Sequence, residues 1–155
     1  MRTIIRPILP EDADELARIG TVNYPAEYEE SSAAFRSKIA GYPAGCWAAE
    51  VAGQLAGYVV SFPYQLNHVF PINTRYTQVG TPDCYYVHDL CVNRNWRGLG
   101  IATQLATAAL AHGWPVTALV AVLDSRPFWE KLGFVRVREL EYCGRPATYM
   151  TRRSE

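Results

Sequence analysis

The chain has 155 residues, 49% of them hydrophobic and 19% charged, which fits one globular domain (1–155) able to bury its own core. Fifteen Lys and Arg balance fifteen Asp and Glu, so no broad attraction to nucleic acid or to an anionic membrane is expected. No stretch approaches the roughly 20 apolar residues that span a bilayer, and Met1 to Pro7 lacks an apolar signal core. Cys46, Cys84, Cys91 and Cys143 have neither disulfide nor zinc-ligand spacing. A cytoplasmic protein with reduced thiols and no metal is predicted.

Arg2 to Leu9 reads as a first strand, and Pro10-Glu11-Asp12 opens a helix carrying Leu16, Ala17 and Ile19. An aromatic loop, Tyr24 to Tyr28, leads to a second helix predicted over Glu29 to Ala40 and stopped by Gly41-Tyr42-Pro43. Cys46–Val51 and Leu55–Phe62 form a hairpin around Ala52-Gly53-Gln54. Pro63 to Pro82 is too punctuated by Pro and Gly for a regular element, and its length suits a lid or a substrate wall. Tyr85 to Val92 is the central strand. Thr103 to His112 is a helix that crosses over to a parallel strand at Val116 to Leu123. Ser125 to Leu132 is a short helix with Gly133 as its stop. Val135–Glu141 and Ala147–Arg152 finish as an antiparallel pair turned at Cys143 to Pro146.

The chemistry concentrates where the central strand meets the following helix. Arg97-Gly98-Leu99-Gly100-Ile101-Ala102 gives strand, glycine turn, helix, a cradle whose free N–H groups and helix dipole suit phosphate. Arg97 adds a fixed positive charge. A dinucleotide fold needs Gly or Ala where Thr103 stands, and a P-loop needs a Lys that is missing, so neither reading fits.

Leu90-Cys91-Val92-Asn93-Arg94-Asn95-Trp96-Arg97-Gly98-Leu99-Gly100-Ile101-Ala102 instead resembles the acyl-CoA-binding motif of the GNAT superfamily of N-acetyltransferases. A second block, Phe128-Trp129-Glu130-Lys131-Leu132-Gly133-Phe134, is similar to the family's Phe-Tyr-x-Lys-x-Gly-Phe signature. The resemblance implies an α/β (α+β) GNAT fold: a mixed central sheet of six or seven strands, flanking helices, and two central parallel strands that splay apart. It also implies acetyl-CoA as cosubstrate, with pantetheine at a bulge near Leu90, Cys91 and Val92 and pyrophosphate on the amides from Arg97 to Ala102. Ser125, Phe128 and Trp129 would complete the cofactor side. Dimers are common in the family, which makes a homodimer an expectation.

The implied reaction is direct attack of a neutral amine on the thioester, which needs a proton acceptor. His88 and Asp89 stand just before the implied bulge, and alternation along a strand lets one of them face the acceptor pocket. A hydrogen-bonded structural pair is the competing reading of these two residues. Trp129 departs from the family's tyrosine, which protonates the leaving sulfur; an indole N–H cannot give up its proton at working pH. A thiol of pKa about 8.5 leaves tolerably as thiolate, and Tyr142 or Tyr149 could replace the acid. Tyr24, Tyr28, Tyr64, His68, Phe70 and Tyr76 could form an aromatic pocket for a cationic acceptor, or anchor loops to the core.

The leading expectation is an acetyl-CoA-dependent N-acetyltransferase acting on a small-molecule amine or a peptide amino group. A non-catalytic acyl-CoA-binding module and a protein lysine or N-terminal acetyltransferase are the alternatives. Nothing in the sequence fixes the acceptor or tells acetyl from a longer acyl group.

Overall fold

Seven strands form a single mixed sheet in the computed structural model, which describes residues 2–154. The chain runs β1 (Thr3–Pro7), α1 (Ala13–Asn23), α2 (Ser32–Gly41), β2 (Cys46–Val51), β3 (Gln54–Tyr64), β4 (Cys84–Val92), α3 (Ile101–Leu110), β5 (Val116–Ala121), α4 (Arg126–Lys131), β6 (Val135–Tyr142) and β7 (Arg145–Arg153). The spatial order is β1-β2-β3-β4-β5-β7-β6. Only β4 and β5 pair in parallel, because α3 crosses between them.

Both hairpins turn on two residues of positive φ. Ala52 and Gly53 (53° and 76°) join β2 to β3, and Cys143 and Gly144 (54° and 79°) join β6 to β7. That handedness matches the twist of the flanking strands. The helix expected from Glu29 begins at Ser32 instead. Ser31 is its N-cap, accepting a hydrogen bond from the Ala34 amide at 3.1 Å, and the cap leaves Glu30 outside the helix.

The sheet separates two apolar layers. Leu16, Ile19, Phe35, Ile39, Tyr58, Phe62 and Tyr86 fill the layer under α1 and α2. Val59, Val87, Ile101, Leu105, Leu119 and Trp129 fill the layer under α3 and α4. Strand alternation assigns neighbouring residues to opposite layers, as with Tyr58 and Val59.

One irregularity sets the geometry of the centre. Val60 pairs with Asp89 and Ser61 with Val87, so His88 is an extra residue in β4. This bulge stands before Leu90, Cys91 and Val92, the residues expected to carry it; those three pair regularly with Val59, Tyr58 and Gly57. A bulge bends its strand and increases the twist. Pairing of β4 with β5 accordingly stops at Val87 and Leu119, although both strands continue. The two strands splay, and a cleft opens between them.

Candidate active site

The cleft has a volume of about 410 Å³ and runs along the splayed edges of β4 and β5. Leu90, Val92, Arg97 and Ala102 line it from the β4–α3 side, and Ser125, Phe128 and Trp129 from α4. His88, Asp89, Tyr24, Tyr28, Ile72 and Tyr142 line its other wall. Most of the residues singled out in the sequence therefore meet in one cavity.

The glycine turn forms its rim. Gly98 and Gly100 have φ of 80° and 78°, and a Cβ at either would meet nothing within 4 Å. Their glycines are thus required by backbone conformation, not by crowding from the protein itself. Gly100 is the N-cap of α3, whose first amides have no intrahelical partner. Leu99 is exposed, whereas the Ile101 side chain is buried in the α3 layer. Any contact these residues make with a phosphate is through backbone. Arg97 donates from Nε to the Val92 carbonyl at 3.1 Å and keeps its guanidinium at the solvent edge of the cleft. The Cys91 side chain does not line the cleft; it is buried in the opposite layer, where burial pushes its thiol up to about 12.

Beyond Ala121 the chain reverses through Leu123 and Asp124, both at positive φ (53° and 61°). This is uncommon for residues with a side chain. It ends β5 two residues earlier than expected and brings Ser125 to the cleft wall. Ser125 holds the N-cap position of α4 without a side-chain cap bond.

His88 and Asp89 do not alternate. Because His88 is the bulged residue, both side chains lie on the α1–α2 side of the sheet, where His88 packs on Phe62 and Phe70 and Asp89 meets Tyr24 and Tyr58. The expectation that only one of them faces this wall fails for that reason. Their partner is a residue the sequence reading missed. Glu30 Oε1 lies 2.8 Å from His88 Nε2, accepts the Asn73 amide at 2.8 Å, and stands 3.5 Å from the fully buried Lys38 Nζ. Burial would raise the Glu30 carboxyl, but His88, Lys38 and the Asn73 amide overcome it and hold the group at about 2. Lys38 is itself lowered by burial, against the pull of Glu30. With Nε2 engaged by Glu30, the buried His88 Nδ1 has no hydrogen-bond partner among the described residues.

Asp89 is buried among hydroxyls. Tyr58 Oη donates to its Oδ2 at 2.7 Å, and Tyr24 Oη lies 2.8 Å from its Oδ1 and 2.8 Å from the Leu90 carbonyl. Burial, reinforced by the Glu30 charge, raises the Asp89 carboxyl to about 6. Its ionisation thus falls near neutrality.

The two tyrosines considered as acids part company. Tyr142 lines the cleft, stacks on Tyr28 at 6.0 Å and donates to the Phe70 carbonyl at 2.7 Å. Tyr149 is fully buried away from the cleft and accepts the Asn67 amide at 2.7 Å. Of the aromatic set, Tyr24 and Tyr28 line the cleft; Phe70 and Tyr76 are core residues, while Tyr64 and His68 lie outside the cavity. The segment from 65 to 83 supplies Ile72 to the wall, and Asn73 and Thr74 tie it to Glu30 and Lys38. Among the described residues, no cluster of His, Cys, Asp and Glu is placed to hold a metal ion, and no helix is long and apolar enough to cross a membrane.

The sequence model of the acetyltransferase (GNAT) family matches residues 13–134, from the start of α1 to the end of the second motif block. The chain belongs to the GNAT family. Comparison with curated sequences gave no match, so the other likenesses of this GNAT domain are structural. It is similar to the loading GNATL domain of CurA from Lyngbya majuscula (TM-score 0.83, 11% identity, 99% of this chain and 98% of that one). It is also similar to Ard1 from Thermoplasma volcanium (0.79, 19%, 99% and 98%) and to Arabidopsis thaliana Naa50, solved with the bisubstrate analogue CoA-Ac-MVNAL (0.74, 14%, 98% and 99%). At these identities the likeness establishes the fold. In this GNAT domain the position of the family's acid tyrosine is held by Trp129, 7% exposed and packed edge-on between Phe128 and Phe134.

Proposed function

We propose that the chain transfers an acetyl group from acetyl-CoA to a primary amine, either of a small molecule or of an amino terminus. The observation that carries this reading is the continuity of one cleft. Its solvent end is a phosphate cradle, its middle is the unpaired edge of β4, and its inner wall holds a histidine and a carboxyl, with a second carboxyl behind the histidine. The residues fit acyl-CoA: Arg97 and the free α3 amides would hold the pyrophosphate, and the β4 edge beyond Val87 lacks a strand partner and can pair with pantetheine amides. Bound acetyl-CoA would supply a thioester activated toward attack. Solved neighbours with bound CoA derivatives, Naa50 among them and the GphF GNAT-like decarboxylase with isobutyryl-CoA, support a CoA ligand for this fold.

The protein's own part is orientation and proton transfer. Glu30 holds His88 Nε2, which fixes the tautomer that leaves Nδ1 as the acceptor, as a carboxylate does for a catalytic histidine. His88 therefore takes the amine proton, directly or through one water. Aromatic walls at Tyr24, Tyr28 and Tyr142 and the inner position of the base favour a slender amine that enters end-on over a residue in a flat protein surface.

Release of free CoA from acetyl-CoA in the presence of a panel of small amines and short peptides tests the reading. Turnover on at least one acceptor, lost in His88→Ala, is expected. Tight acetyl-CoA binding with no turnover on any acceptor would show a non-catalytic acyl-CoA module instead.

A further inference from the structure

Counting hydrogens around Asp89 leaves one short. Tyr24 and Tyr58 bring one hydroxyl hydrogen each, yet three acceptors lie within 2.8 Å of those hydroxyls: both Asp89 oxygens and the Leu90 carbonyl. An ionised Asp89 takes both hydrogens and leaves the Leu90 carbonyl facing Tyr24 Oη lone pair to lone pair at 2.8 Å. A proton on Asp89 Oδ1 satisfies every contact. Asp89 then donates to Tyr24 Oη, Tyr24 donates to the Leu90 carbonyl, and Tyr58 donates to Oδ2.

That chain ends on the β4 edge that lines the cleft, beside Leu90. It lies across the cleft from the α4 wall, where Trp129 stands at the position of the family's proton-donating tyrosine. Resting on the acyltransfer reading above, we infer that Tyr24 is the general acid of this site, loaded by Asp89. As the C–S bond breaks, the Tyr24 hydroxyl proton passes to the thiolate sulfur, and the Asp89 proton passes to Tyr24 Oη. The products are CoA–SH, neutral Tyr24 and an Asp89 carboxylate, while His88 keeps the proton taken from the amine. Solvent then resets His88 and Asp89, so protons balance over a turnover.

The direction of transfer is favourable. Burial holds the Tyr24 hydroxyl well above its ordinary range, so Tyr24 alone is a poor donor. Coupled to a carboxyl near 6, it becomes a conduit from a stronger acid to a thiolate whose conjugate pKa is about 8.5. The charged and titratable groups facing Asp89 come from each neighbouring element. Glu30 raises it and His88 lowers it; Tyr24 and Tyr58 bond it. Lys38 from α2, Cys91 on β4 and Tyr142 from β6 lie within its field.

The test pairs Tyr24→Phe with Asp89→Asn. Asn is the shape of a protonated Asp: its oxygen accepts from Tyr58 and its amide donates to Tyr24, but it releases no proton. Both variants should lower kcat with acetyl-CoA about 10-fold or more while leaving acetyl-CoA Kd within about twofold, and the high-pH decline of kcat in the parent should vanish in Asp89→Asn. Adding Trp129→Tyr to Tyr24→Phe should restore much of the lost rate. An unchanged kcat in Tyr24→Phe, or a rise in Kd that accounts for the whole loss, overturns the inference. Should the parent turn over no amine, the acyltransfer reading has failed on its own. The proton count is then decided by infrared spectroscopy: a protonated-carboxyl band in the parent below the Asp89 pKa, absent in Asp89→Asn, upholds the shared proton, and its absence from the parent refutes it.

Discussion

Replacing Asp89 with Asn removes one titration from the folded state and little else, so its effect on stability is calculable. The Asp89 carboxyl rises from 3.8 to about 6 on folding, a shift of about 2 units, and at 1.36 kcal/mol per unit the ionised form is disfavoured in the native state by about 3 kcal/mol. The sign follows from the raised value. The neutral form is the one that folding favours, so the contribution is intact below the unfolded pKa and is lost as pH rises through 6. Asp89→Asn carries no such loss. Urea unfolding followed by the fluorescence of the four tryptophans should show parent and variant of similar stability at about pH 4, with the variant more stable by about 2–3 kcal/mol at about pH 8. Subtracting the two proteins at each pH cancels the titration of Glu30 and other shared groups to first order. A variant less stable than the parent at the higher pH would refute the reasoning, because it would mean that the tyrosine hydroxyls stabilise a carboxylate rather than share a proton with an acid.

Glu30→Gln should destabilise the protein by about 3–5 kcal/mol, since Lys38 would be left buried without its counter-charge; chemical denaturation at neutral pH measures it. The depressed Glu30 carboxyl acts oppositely to Asp89: its contribution is present above the unfolded value of 4.5 and is lost as pH falls toward 2, so acid unfolding of the parent should steepen in that window and flatten in Glu30→Gln. Gly100→Val forces a β-branched side chain to φ near 78° and puts it on the rim of the cradle; acetyl-CoA affinity by calorimetry should fall more than about 10-fold while the circular dichroism spectrum is kept. Arg97→Ala should weaken binding of acetyl-CoA more than that of phosphate-free acetyl-pantetheine, by about 1–2 kcal/mol in titration calorimetry, because only the former carries the pyrophosphate.

What could be read from the sequence was what local constraint determines. Gly98 and Gly100 sit at positive φ, a requirement carried by the residues themselves, and the helix expected at Thr103 to His112 lies two residues from its observed bounds, Ile101–Leu110. The hairpin at Ala52-Gly53 was legible for the same reason. The bulge at His88 was not, because a bulge is a property of two strands in register, and neither Val60 nor Ser61 announces that it will skip a residue of its partner. From that one displacement came the mistaken alternation of His88 and Asp89. Glu30 was hidden by a helix start drawn too early. Ser31 as cap was the available signal: it leaves Glu30 outside the helix, where its partners His88 and Asn73 are distant in sequence. Tyr142 and Tyr149 looked equivalent in composition, and only their positions on a paired hairpin, one at its cleft end and one in its buried middle, distinguish them.

The distribution of polar groups explains how a tryptophan can occupy an acid's position without emptying the site of acids. The β5–α4 wall is apolar apart from Ser125: Leu119, Val120, Phe128 and Trp129 line it. Among the described residues, the titratable groups of the cleft's interior, His88, Asp89, Tyr24, Tyr28, Tyr86 and Tyr142, lie on the opposite wall, with Glu30 and Lys38 directly behind it. One strand irregularity produces this asymmetry, since the bulge turns two consecutive polar residues toward the same layer and also ends the β4–β5 pairing that would have closed the cleft. A proton donor retained on α4 would act across the cavity from its reservoir, whereas Tyr24 is hydrogen-bonded to one. The tryptophan at 129 then follows as a choice for packing, because its ring closes the cleft against Phe128 and Phe134 while proton transfer stays on the wall that is already wired for it.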